Sequence, residues 1–82
     1  MKHIELGQYT VADPEICHGK LTFKGTRIMV EPVLQMVAEG EDWDTIVAEY
    51  HHFITKETIA EAIKLASEAL IEKVEKARQQ AA

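Results

Sequence analysis

Two pairs of adjacent residues carry the side chains best suited to chemistry, Cys17-His18 and His51-His52. A thiol beside an imidazole is the raw material of nucleophilic catalysis, but the base needs a third group to orient it. No carboxylate is evident at a spacing that would do so for Cys17. A structural zinc site needs about four converging ligands, commonly in closely spaced pairs. Here each pair consists of immediate neighbours, and neighbours on a strand point to opposite faces. The sequence therefore predicts no metal, no cofactor and no enzyme. The histidine pair reads as the filling of a turn. The other candidates are bases. Lys20, Lys24, Arg27, Lys56 and Lys64 are the residues that could meet DNA phosphates. Arg27, in "KGTR", has two readings: a bidentate clamp on a carboxylate, or a phosphate contact.

These residues need elements to position them, and the period of the sequence changes near residue 29. Before it, short β-type runs alternate with turn residues: Ile4-Leu6, Tyr9-Val11, Lys20-Phe23 and Thr26-Ile28. The last two flank Lys24-Gly25, which reads as a tight hairpin turn. After residue 29 the apolar residues recur at helical spacing. A first helix is predicted from about Pro32 to Glu39, closed by Gly40. A second runs from about Trp43 to Tyr50 with Asp42 as N-cap, and Trp43 opens its apolar stripe. A third starts after Thr55, with Ile54 and Ile59 at the spacing of a hydrophobic staple. It continues to about Gln79, along Ile59, Ile63, Ala66, Leu70, Val74 and Ala77. Glu72–Lys76 and Glu75–Arg78 are spaced as supporting ion pairs on this helix.

The expected fold class is mainly α. An N-terminal β-hairpin precedes a three-helix, homeodomain-like helix-turn-helix with a long C-terminal helix. Residues 1–29 form the hairpin arm, 30–70 the helical core and 71–82 an extension, all in one domain. In that layout Lys56, Glu57, Ala60, Glu61 and Lys64 point outward from the third helix. The first two helices are too short to cover the third. Leu70, Ile71, Val74 and Ala77 are therefore the expected partner-binding residues.

With 82 residues the chain has room for one small core. Its single cysteine rules out an internal disulfide. The polar start argues against a signal peptide, and no apolar run reaches membrane-spanning length, so the cytoplasm is the expected compartment. Net charge is −5, and Met29 to Glu49 holds six acids and no base. Such a balance is a poor starting point for binding nucleic acid and a better one for binding a basic protein.

The stretch "VADPEICHGKLTFKGTRIMVEPVLQMVAEGEDWDTIVAEY" resembles a bacterial and archaeal family catalogued as domain of unknown function 433. Its most specific parts are "DPEIC" and "GTR" at this separation, and the likeness spans about Tyr9 to Leu70. The chain departs from the family's usual pattern at His18, Leu21 and Met29. The resemblance implies a hairpin followed by a helix-turn-helix. It also implies an antitoxin component that neutralises a nuclease-like toxin encoded beside it. The expected function is thus an antitoxin-like regulator that binds a toxin protein, with operator DNA as a weakly supported second target. The alternative is a dimeric adaptor with no nucleic-acid role. A homodimer is expected in either case.

Overall fold

The computed structural model describes residues 3–81. Three short strands, β1 (Ile4–Leu6), β2 (Thr10–Ala12) and β3 (Leu21–Phe23), lead into three helices. These are α1 (Val30–Ala38), α2 (Trp43–Glu49) and α3 (Lys56–Ala81). A single 3-10 turn at Cys17–Gly19 lies between β2 and β3.

The strands form an antiparallel meander in the order β1-β2-β3. Leu6 faces Thr10 across a turn made by Gly7, Gln8 and Tyr9, and Thr10 faces Phe23 on the next strand. This corrects the expected fold class. The chain is mostly helical and does carry an N-terminal hairpin, but that hairpin is part of a three-stranded antiparallel sheet packed against the three helices. The expected hairpin at Lys24-Gly25 also resolves differently. Gly25 does turn the chain, at φ 77°. The residues after it make only one bridge, Thr22 to Met29. Across the turn the Phe23 N–H donates to the Ile28 carbonyl at 3.0 Å, while Thr26 donates its hydroxyl to the Phe23 carbonyl and the Ile28 N–H donates to the Thr26 hydroxyl. Helix α1 then begins at Val30, two residues before Pro32, so no length remains for a fourth strand.

The helix ends follow their caps. Asp42 accepts from the Thr45 N–H at 3.4 Å and opens α2. Thr55 and Thr58 exchange hydroxyl and backbone bonds at 3.3 and 3.1 Å, a reciprocal box at the start of α3. At the end of α1 the Gly40 N–H donates to Val37 and the Glu41 N–H to Met36, the paired bonds of a Schellman motif with glycine in the left-handed position.

The core is one cluster: Phe23, Val30, Val33, Ile46, Ile54, Ile59 and Ala62. Phe23 belongs to it, so the sheet is a wall of the core rather than a detached arm. Trp43 is half-buried against the cluster, as its place on the α2 stripe predicts. Two polar side chains are buried in the sheet, Thr10 and Thr22. Their hydroxyls donate to the carbonyls of Leu6 and Val11, so neither is left unpaired.

Candidate partner-binding surface

Helix α3 runs 26 residues, and its last buried side chain is Ala62. From Ala66 onward every described position is exposed. Leu70, Ile71 and Val74 keep 63%, 58% and 43% of their surface in water, and Ala77 lies on the same open stretch. The four expected partner residues are therefore uncovered. The ion pairs expected along this stretch do not form: among the described residues neither Glu72–Lys76 nor Glu75–Arg78 comes within bridging distance.

The exposed stretch continues a groove in the core. A depression of about 400 Å³ lies among Lys20, Leu21, Met29, Val30, Pro32 and Leu34. It shares Leu21, Val30 and Leu34 with a narrower one of about 160 Å³ that ends on Leu65, Ala66 and Ala69 of α3. Ala69 in turn borders a third, beside Glu72, Lys73 and Lys76. The three join into one track, apolar where it crosses the core and charged where it reaches the tail. The sequence placed Leu34 on the α1 core stripe and gave Leu21 and Met29 no role, so this half of the surface was missed. The missing signal is three-dimensional, because the walls come from β3, α1 and α3.

The five bases expected to face DNA have scattered fates. Lys24 is bound to Glu5 of β1 at 2.6 Å, and Lys56 to Asp44 of α2 at 2.7 Å. The Lys24 and His3 contacts pull the Glu5 carboxyl below its ordinary range. Asp44 pushes the Lys56 ammonium above the usual lysine value. Lys20 borders the groove. Arg27 and Lys64 are exposed and pair with no carboxylate among the described residues, so Arg27 forms no carboxylate clamp there.

Glu61 is the clearest departure from the expected outward face of α3. It is half-buried, and its carboxylate accepts the N–H groups of Gln8 and Tyr9 at 2.7 and 2.8 Å. The β1–β2 turn thus sits against the side of α3 that a recognition helix would need free. Sequence reasoning gave Glu61 no such role. The available signal was Gly7, placed between two β-type runs and adopting φ 66°.

Cys17 and the histidine pair lie in turns between elements. Asp13 accepts from the Glu15 N–H at 2.9 Å and starts the turn after β2. The Cys17 thiol donates to the Arg27 carbonyl at 3.5 Å, which ties "DPEIC" to "GTR". His51 and His52 fill the turn between α2 and α3, both at positive φ. No helix of the described residues is long and apolar enough to cross a membrane.

No curated protein and no solved structure matches the chain. One family model does, over residues 11–66, described as a protein of unknown function. Its span takes in all of β2 but Thr10, the Cys17–Arg27 tie, β3, α1, α2 and the buried part of α3, and stops where α3 leaves the core. With that match covering most of its length, the chain belongs to the DUF433 family.

Proposed function

We propose that this protein is a small antitoxin-like regulator that works by binding a toxin protein, not by catalysis. The observation that carries the reading is the length of α3. Its apolar face continues through Leu70, Val74 and Ala77 after the core has ended. Burying a large apolar side chain is worth about 1.5–3 kcal/mol, so an uncovered stripe of this kind is a reservoir of binding energy. An amphipathic helix laid into a partner's groove is a standard way to use it. The toxin identity comes from the implied family role and the surface from the geometry. Operator DNA has less support, since Lys24 and Lys56 are paired and Glu61 holds the β1–β2 turn against α3.

The test is co-purification with the product of the neighbouring gene. A chain ending at Leu70 keeps its fold by circular dichroism and loses that product. Retention of the product by the shortened chain overturns the reading.

A second reading, a self-associating adaptor, is favoured by the outer edge of β1. Among the described residues that edge has no neighbouring strand, and Ile4 and Leu6 on it are exposed. An open edge is a template for another chain. Sedimentation at micromolar concentration separates the two: a dimer of about twice 9.3 kDa that ignores the neighbouring product supports the adaptor.

A further inference from the structure

We infer that the occupant of the α3 tail is an acidic amphipathic helix of a partner protein, recognised through Lys73. This rests on the proposed partner-binding role and adds the chemistry of the partner.

Stepping along α3 at 3.6 residues per turn, Ala66, Leu70, Lys73 and Ala77 follow one line. Val74 borders it on one side, and Ala69 and Lys76 on the other. Small residues at Ala66, Ala69 and Ala77 leave room for a second helix to approach closely. Lys73 stands in the middle of the seam and lines the depression next to Ala69. No carboxylate pairs with Lys73, Lys76 or Arg78 among the described residues. Glu61, Glu68 and Glu75 fall on the opposite side of the helix, and Glu72 is the one acid at the edge of the tail depression.

The consequence is electrostatic. Whatever covers Leu70 and Ala77 also lies along the Lys73 stem and crowds the water around its ammonium at the rim of the seam. An ammonium that loses part of its hydration there without a counter-charge weakens the contact, and a facing carboxylate offsets that loss. The covering surface must therefore bring a carboxylate to Lys73, with a second within reach of Lys76. A second copy in the register that sets Lys73 against its own counterpart fails this requirement, and Glu72 is the one acid it carries at the edge of the tail depression. An apolar helix bordered by Asp or Glu meets it.

The probe is a synthetic 18-residue helical peptide with a leucine face bordered by glutamates, compared with its lysine-bordered counterpart. Binding is followed on the isotope-labelled full chain by amide shifts and by fluorescence anisotropy. The expected result is shifts confined to residues 65–78 and affinity at least tenfold higher for the glutamate peptide. That margin narrows as salt screens the charges. Lys73→Glu inverts the preference while leaving the fold unchanged. Equal binding of both peptides, binding of neither, shifts that fall off α3, or a preference untouched by Lys73→Glu each overturn the proposal. So does binding to phosphatidylglycerol vesicles without binding to the glutamate peptide, which assigns the seam to a lipid surface. Self-association that disappears when the chain ends at Leu70 assigns it to a second copy and overturns the proposal too. The two levels fail separately. If the shortened chain loses the neighbouring product but Lys73→Glu keeps it at full affinity, the function stands and the acidic partner falls. If the shortened chain keeps the product, the function falls and the peptide comparison alone judges the seam.

Discussion

The carboxylate of Glu61 lies against Gly7, close enough that a methyl group on Gly7 would come within 2.6 Å of the Glu61 Cδ. Helix and turn have therefore settled against each other with no room for a side chain. The contact joins residues 52 and 53 positions from Glu61 through the Tyr9 and Gln8 N–H groups. Among the described residues no other side-chain hydrogen bond joins the β1–β2 hairpin to α3.

Glu61→Ala should destabilise the protein by about 1–3 kcal/mol, since it removes two hydrogen bonds to a charged carboxylate. For a domain of this size that is a fall of about 4–8 °C in Tm per kcal/mol. Amide exchange at Gln8 and Tyr9 should accelerate in the same variant. Gly7→Ala should also destabilise, because φ 66° and the Glu61 carboxylate both oppose a Cβ. Unchanged exchange at both amides in Glu61→Ala would remove the clamp from the account.

Core and tail should respond oppositely to truncation of a single side chain. Ile59→Ala opens a cavity in the cluster and should cost about 2–5 kcal/mol. Leu70→Ala, on a side chain 63% exposed, should change stability by less than about 0.5 kcal/mol. Urea denaturation of the two variants decides it. A large loss from Leu70→Ala would mean that the tail is covered within the protein itself.

Two surface pairs give opposite pH signatures. Glu5 has its carboxyl lowered by Lys24 first and His3 second, so its contribution is present above the ordinary carboxylate range and is lost as pH falls through the lowered value. Lys56 has its ammonium raised by Asp44, so its contribution is present below the ordinary lysine range and is lost as pH rises through the raised value. Both groups are exposed, and the effect on stability is correspondingly small. NMR titration is the direct reading. Lys24→Met should return the Glu5 midpoint upward, and Asp44→Asn should return that of Lys56 downward. Midpoints that do not move in those variants would refute the pairings.

How much of this was legible beforehand depends on the range of the interaction. Asp42, Thr55, Gly40 and the Ile54–Ile59 staple are decided by residues within one turn of each other, and each stands where the sequence puts it. The runs Ile4–Leu6 and Tyr9-Val11 were also visible, but their pairing as β1 and β2 was not. Pairing β1 with β2 depends on a turn at Gly7 that is held by Glu61, far along the chain. The Lys24-Gly25 turn forms where the sequence puts it, but the strand after it shrinks to one bridge. Gly25 is a true turn signal, but the strand expected after it competes with a helix that starts at Val30. The exposed α3 stripe was legible as periodicity. The groove that meets it was not, because Leu21, Met29 and Leu34 come together only when sheet and helices pack. "DPEIC" and "GTR" carry the family likeness, and their meaning also appeared only in three dimensions, as a thiol bonded to a backbone carbonyl.

Helices α1 and α2 end in the same way but with different residues. The second repeats the bonds of the first: the His51 N–H donates to Ala48 and the His52 N–H to Val47. His51 thus occupies the place that Gly40 fills in α1, at φ 55°, and His52 follows at φ 62°. A side chain with a Cβ in that conformation carries a cost that glycine and, in part, asparagine escape. The α2–α3 turn is therefore a reserve for engineering. His51→Gly, at a position outside the α3 tail, should raise the melting temperature without altering partner capture, leaving the working surface free for redesign on a sturdier scaffold.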